Sequence, residues 1–236
     1  MSTASAVTTY KTDDDRYAAV RELSAQLPRH HVLQKYLEPQ RCLKRKAAYL
    51  RDADLDSVTA PAISGGHVLE LGMGAGWLAH LITRNSDGRR RVDGLDLPAS
   101  ASPDDDFADV YDRCRLILGA RCVYRREIKA QVDIGADIGR YAAVVATEAA
   151  FHAGWQRCDW EHLILDVINN HLLVNRVTVV FLHVNVGEPY TAAAEALRWL
   201  VADMVKEPSI WHQVRGVTLR GGATVRIEIF KKEWRA

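Results

Sequence analysis

The sequence predicts an α/β protein. It reads as a doubly wound, mostly parallel sheet of about seven strands, with a C-terminal antiparallel hairpin and a preceding N-terminal helical lid. Three observations carry this reading. From residue 67 onward, short apolar runs alternate with helical patterns, and five such units follow one another. Runs such as Tyr141–Ala146 are apolar throughout, as strands buried on both faces are. The last two runs, Gln213–Leu219 and Thr224–Phe230, are joined around Arg220, Gly221 and Gly222 with no helix between them, which makes a hairpin.

The elements follow in order. The polar stretch Met1–Asp15 closes on Asp13, Asp14 and Asp15 and is expected to be frayed. Helix formers run from Arg16 to Leu23, and Pro28 ends that helix. A second helix is expected over about 31–53, with Val32, Leu33, Tyr36, Leu37, Leu43, Ala47 and Leu50 as apolar positions; Pro39 kinks or splits it. No strand is expected before Pro61. Residues 1–60 therefore form the helical lid, and 61–236 form the main domain. That domain begins with strand His67–Leu71 and helix Trp77–Arg84. Strand Arg91–Leu97 stops at Pro98 and is followed by helix Phe107–Leu118. Strands Arg121–Ile128 and Tyr141–Ala146 come next, then a long helix from Asp159 to Val174. Strand Val177–Val184 and helix Thr191–Val205, capped near Tyr190 and Thr191, lead into the hairpin.

Composition narrows the function. Of 236 residues, 48% are hydrophobic and 26% charged, the balance of a globular chain that can bury a core without staples. Lys and Arg number 31 against 30 Asp and Glu, which excludes a strongly polybasic nucleic-acid binder. Cys42, Cys114, Cys122 and Cys158 form no C-x-x-C pair, and no His cluster completes a zinc site, so no metal is expected. They read as reduced thiols of a cytoplasmic protein. The N-terminus lacks the basic start and apolar stretch of a signal peptide, and no run is long enough to span a membrane.

The stretch Val68–Gly76 carries the chemistry. It is a strand that ends in a glycine-rich turn and opens a helix. Glycines let the backbone approach a ligand, and the helix N-terminus offers free N–H groups. The next strand ends at Asp96, 20 residues beyond Gly76, where a carboxylate can accept hydrogen bonds from ribose hydroxyls. Together these point to a cofactor that contains a nucleoside. They do not choose which one. Read from Gly72, the G-x-G-x-x-G pattern of nicotinamide enzymes fails at Trp77; read from Gly74, it survives through Ala79.

The run Glu70-Leu71-Gly72-Met73-Gly74-Ala75-Gly76 resembles the first motif of the class I S-adenosylmethionine-dependent methyltransferases, which is an acid, an apolar residue and Gly-x-Gly-x-Gly. The resemblance covers about residues 64–236, including the closing hairpin. Two features favour the methyl donor over NAD(H). An acid at Glu70 would repel a pyrophosphate, and the hairpin replaces the second mononucleotide-binding half of a dinucleotide fold. The resemblance implies S-adenosylmethionine as cofactor. Gly72, Gly74 and Gly76 would line its methionine part, and Glu70 would face its amino group. Asp96 would hold the ribose hydroxyls, Leu97 would pack on the adenine, and Glu127 would meet the adenine amino group. The segment from Ala146 through Thr147 to His152 is the edge where the family places the methyl group and the substrate. The Asn-Pro-Pro-Tyr or Asp-Pro-Pro-Tyr motif of amino-methylating nucleic-acid enzymes is absent, which argues against base N-methylation by that route.

Methyl transfer needs alignment and sometimes a base. Glu148 and His152 are four apart on a segment expected to begin a helix, so they would share a face as catalytic candidates. In the competing reading, His152 packs beside Trp155 and Glu148 caps the helix. After the fifth strand, Asn185, Glu188 and Tyr190 are placed to touch a substrate, while His183 stays buried in the strand. Tyr36, with Tyr10 and Tyr17, would close over the cofactor from the lid. The basic run Arg29, His30, His31, Lys35, Arg41, Lys44, Arg45 and Lys46 reads as a solvated face or as a surface for a phosphate-bearing partner such as RNA. Arg89, Arg90 and Arg91 read as a surface loop away from the site. The expected activity is methyl transfer to O or N of a small molecule. An RNA- or protein-directed enzyme and a non-catalytic cofactor binder of the same fold stay open, with an NAD(P)-dependent oxidoreductase behind them.

Overall fold

Apolar residues that alternate along the strands bury two opposite faces of one sheet. The computed structural model describes residues 10–28, 31, 33–52, 67–97, 105–174, 177–206, 212–216 and 222–230. The boundary at 60/61, residues 1–9, Arg29, His30, Pro98 and the hairpin residues Arg220 and Gly221 lie outside the described residues.

The N-terminal part is helical. Helix α1 spans Asp13–Ala25, α2 Gln34–Leu37 and α3 Pro39–Asp52. The helix starts earlier than the expected Arg16. Thr12 and Asp15 form a capping box, and the three aspartates sit in the first turn, where the helix dipole favours negative charge. Pro39 splits the second helical stretch. Glu38 before it is extended (φ −79°, ψ 109°), the conformation that a following proline imposes.

The main domain then runs β1 (Val68–Leu71), α4 (Trp77–Asn85), β2 (Val92–Asp96), α5 (Asp105–Leu118), β3 (Arg121–Arg125) and β4 (Ala143–Ala149). It continues with α6 (Arg157–Asp166), a π-helical turn (Val167–His171), β5 (Val177–Asn185), α7 (Thr191–Lys206), β6 (His212–Gly216) and β7 (Gly222–Phe230). The seven strands form one sheet in the order β3-β2-β1-β4-β5-β7-β6. Strands β1 to β5 are parallel, and β7 runs antiparallel between β5 and β6. Leu69, Leu71, Val144, Ala146, Val180 and Leu182 face one way and pack on Trp160, Leu163 and Ile164 of α6 and Leu197 of α7. Val68, Ala143, Val145, Val179 and Phe181 face the other way, against Leu78, Leu81 and Ile82 of α4 and Leu50 of α3. The N-terminal helices also share an apolar cluster with the main domain. Val20, Leu23, Leu33, Leu37 and Cys42 meet Trp77, Val110, Cys114 and Leu118.

Several boundaries differ from the expectation. Strand β3 stops at Arg125, so Glu127 lies in the following loop. Strand β4 continues to Ala149 because pairing with β5 persists as far as Ala149 opposite Val184. The long helix ends at Asp166, whose Oδ2 accepts from the Ile134 N–H at 2.8 Å. Arg90 is 4% exposed rather than a surface residue, while Arg89 and Arg91 are exposed. All four cysteines are free thiols. Among the described residues, no helix is long and apolar enough to cross a membrane.

Gly76 joins sheet to helix. It is the N-cap of α4 with φ +83°, and a Cβ there would stand 2.7 Å from the Ala120 Cβ and 3.1 Å from the Arg115 Cγ. At Gly74 (φ +53°) a Cβ would meet nothing within 4 Å. Gly76→Ala adds overpacking to left-handed strain and should destabilise by about 2–4 kcal/mol, whereas Gly74→Ala should cost about 1–2 kcal/mol. Urea unfolding of both variants checks the order; equal losses would show that the close approach at Gly76 is not tight.

Candidate functional site

Three left-handed glycines shape the turn after β1: Gly72 (φ +67°), Gly74 (φ +53°) and Gly76 (φ +83°). The Gly72 and Met73 N–H groups donate to the Leu95 carbonyl at 2.8 and 3.2 Å, which ties the turn to β2. A Cβ on Gly94 of β2 would overlap the Met73 sulfur, so a second glycine position makes room for the turn to cross. The Gly74 N–H donates to Asp96 Oδ2 at 3.1 Å. Arg115 of α5, 3% exposed, donates through Nη1 to Asp96 Oδ2 (2.5 Å) and the Gly74 carbonyl (2.6 Å), and through Nη2 to Asp112 Oδ1 (2.6 Å).

A cavity of about 580 Å³ opens over this network. Its walls are Tyr36, Gly72, Gly74, Leu95, Asp96, Leu97, Tyr111, Arg126, Glu127, Ile128, Glu148, Ala150, Phe151, Ala153 and Asn185. Most of these lie at or just past the carboxyl ends of the parallel strands, where ligands of open α/β sheets bind. Of the residues singled out from the sequence, Tyr36, Gly72, Gly74, Asp96, Leu97, Glu127, Glu148 and Asn185 meet here. Glu70, Gly76, Thr147, His152, Glu188 and Tyr190 do not line the cavity. Glu127 is 48% exposed and ion-paired with Lys129 at 3.2 Å.

Glu70 lies just behind the wall, 2% exposed. Its carboxylate accepts from the Ala79 N–H, and Oε2 is buried with no hydrogen-bond partner among the described residues. Burial pushes its pKa up to about 8; the charge of Lys46 opposes this, and Asp96 adds to it.

Glu148 and His152 do not share a helix face. Glu148 sits in β4 with φ +58°, at a register shift between Thr147 and Ala149, and α6 begins only at Arg157. The bulge turns Glu148 toward α3. Lys46 Nζ donates to Glu148 Oε2 (2.9 Å), to Thr147 Oγ1 (2.7 Å) and to the Thr147 carbonyl (3.3 Å). Tyr49 donates to Glu148 Oε1 at 3.1 Å, and Arg45 Nε lies 3.0 Å from the same oxygen. Burial raises the Glu148 pKa, but Lys46 and Arg45 outweigh it and hold the carboxyl below its usual range. The basic run is therefore not wholly a solvated face: Arg41 and Lys44 are exposed, while Lys46 is buried and Arg45 half-buried against Glu148.

His152 is fully buried. Its Nε2 is 3.1 Å from the Asn185 carbonyl, and its ring lies 4.7 Å from Tyr190 and 5.2 Å from Trp160. Burial lowers its pKa. Tyr190 thus packs on His152, and Glu188 is exposed in the loop. His183 is buried as expected, 4.5 Å from the Tyr49 ring, and desolvation lowers its pKa to about 4. The sequence reading missed Tyr111, Arg126, Phe151 and Arg115. Phe151 adjoins His152 and was within reach of the same loop argument. Nothing linear separates Arg115 from the other arginines.

Glu70 makes stability depend on pH. Its folded pKa lies above the unfolded value of about 4.3, so the folded state keeps a proton that the unfolded state releases. Stability from this group is complete below about pH 4, falls as pH rises toward 8 and levels off above it. Glu70→Gln should remove that decline. Denaturant unfolding at pH 5, 7 and 9 should show the variant gaining on the wild type as pH rises; parallel curves would mean that Glu70 is ionised throughout.

No protein-family model matches the chain, and no curated protein matches it. Solved structures do. A Klebsiella pneumoniae protein assigned as an O-methyltransferase superposes with a TM-score of 0.53 at 12% identity, over 92% of this chain and 90% of its own. Cofactor-bound Rv0187 from MTB gives 0.53 at 17% identity, over 96% and 94%. The O-methyltransferase TomG from Streptomyces achromogenes, in complex with S-adenosylmethionine, gives 0.50 at 12% identity, over 93% and 99%. The chain has the Rossmann-like fold of the class I S-adenosylmethionine-dependent methyltransferases.

Proposed function

We propose that this protein transfers a methyl group from S-adenosylmethionine to O or N of a small molecule. One observation carries the reading: a left-handed glycine turn, an acid on the neighbouring strand and an open cavity meet at the carboxyl edge of the sheet. The residues fit the cofactor. Space is open over Gly74, Asp96 retains acceptor capacity, and Glu70 offers a buried oxygen without a partner. When bound, the cofactor supplies an electrophilic methyl group on a sulfonium sulfur.

The chain's own residues then divide the work. Gly72 and Gly74 bring backbone against the methionine part, and Glu70 faces its amino group from behind the turn. Asp96 holds the ribose, while Leu97 and Glu127 flank the adenine. On the acceptor side stand Glu148, Phe151, Asn185 and Tyr36. Glu148, held ionised, accepts a hydrogen bond from the acceptor's N–H or O–H, orients its lone pair and receives the proton that the acceptor gives up as its new bond to carbon forms, so alignment does most of the work. His152 supports the loop through Asn185 and Tyr190 rather than taking a proton. Helix α2 contributes Tyr36 to the cavity wall, and α3 holds Glu148 from behind it through Arg45, Lys46 and Tyr49. The wall keeps water from the transfer.

Calorimetry should show binding of S-adenosylhomocysteine and no comparable binding of NADH. Asp96→Asn should weaken it by about 1–3 kcal/mol, the cost of an unmade hydrogen bond to a charged group. Gly74→Val should abolish it with the far-ultraviolet circular dichroism unchanged, since the side chain would project into the cavity. Tight NADH binding without the homocysteine ligand would sink the reading. Incubation with labelled methyl donor and cell extract then assigns the acceptor. Label confined to RNA or protein would overturn the small-molecule assignment, and no label at all would mark a non-catalytic binder.

A further inference from the structure

The Asp96 carboxylate is committed before any ligand reaches it. Oδ2 accepts from the Gly74 N–H at 3.1 Å and from Arg115 Nη1 at 2.5 Å. Oδ1 accepts from the Leu97 N–H at 3.0 Å. An ionised carboxylate has about four acceptor positions. Three are filled by partners among the described residues, and the one left is on Oδ1. A ribose diol presents two hydroxyls.

Arg115 is not placed to let go. It is 3% exposed, reaches Asp96 from the protein side and does not line the cavity. Its remaining contacts, to the Gly74 carbonyl and Asp112, fix the guanidinium plane. Its Cγ lies under Gly76, close to where a Cβ would stand. A hydroxyl that displaced Arg115 from Oδ2 would trade a charge-assisted hydrogen bond for a weaker one and would strand a buried cation.

We propose that Arg115 sets the ribose specificity of this site: by holding Asp96 Oδ2, it confines the carboxylate to one ribose hydroxyl instead of both. Arg115 touches no ligand and acts as a positioning residue through Asp96. The inference rests on the reading that the cavity takes an adenosyl cofactor.

Calorimetry with S-adenosylhomocysteine and its 2′-deoxy and 3′-deoxy analogues tests it. In the wild type, one analogue should bind about tenfold or more weakly and the other within about threefold of the parent, since one of two hydroxyls carries the bond to the carboxylate. Arg115→Met frees Oδ2 for the second hydroxyl, so both analogues should then lose affinity and their ratio should fall toward one. Arg115→Lys keeps a cation at Oδ2 and should keep the asymmetry. A purely structural role would lower stability or all three affinities together and leave the ratio unmoved. Equal losses for the two analogues in the wild type, or an asymmetry that persists in Arg115→Met, would overturn the inference. Should Arg115→Met fail to fold, the wild-type analogue pair and Arg115→Lys still decide. No binding of S-adenosylhomocysteine by the wild type would defeat the proposed function and this inference together; binding without asymmetry would defeat this inference alone.

Discussion

The site depends on a backbone that must pass from β1 to α4 within five residues while staying bonded to β2. Left-handed φ at Gly72, Gly74 and Gly76 makes that path possible, because an L side chain there would be strained. The path fixes what surrounds it. The Leu95 carbonyl receives two turn N–H groups, and Met73 fills the space left by Gly94. Asp96 is thereby brought within hydrogen-bond reach of the Gly74 N–H. Arg115 closes the circuit from α5, so the turn and the acid that face the cavity are tied to each other through one guanidinium.

Charge at the other end of the cavity is arranged by different means. Glu148 adopts a left-handed backbone at a bulge, a conformation that persists only when its surroundings impose it. Three side chains of α3 do so: Arg45, Lys46 and Tyr49. Lys46 is a buried ammonium with three oxygen partners, which offsets its desolvation. The N-terminal helices are thus joined to the sheet by Leu50, which packs with Val68 and Phe181, and by this polar cluster at the end of β4, while the apolar cluster around Trp77 joins them to α4 and α5. Whatever motion they make must break or carry these contacts.

Burial gives the two acids beside Lys46 opposite characters. Glu70 has one backbone donor and an orphan oxygen, so desolvation wins and its pKa rises to about 8. Glu148 has an ammonium, a guanidinium and a phenol, so the partners win and its pKa falls. One is ready to gain a cationic partner; the other already holds two.

The sequence by itself determined the alternation of strands and helices, the glycine turn, Asp96 and the closing hairpin. These are local patterns: period, glycine where φ must be positive, and acid at a strand end. It also placed Glu127, Glu148 and Asn185 near one edge, because that edge follows from the strand directions, and Tyr36 there through the expectation of a helical lid. Tertiary structure decided the rest. It showed β4 running past Glu148, since pairing with β5 outlasts the apolar run, and so it separated Glu148 from His152. It turned Lys46 and Arg45 inward and buried Arg90, which a charge run read as solvated cannot reveal. It brought Arg115 to Asp96 across 19 positions of chain. Partners that far apart are chosen by packing of helix on sheet, and no spacing rule records that choice.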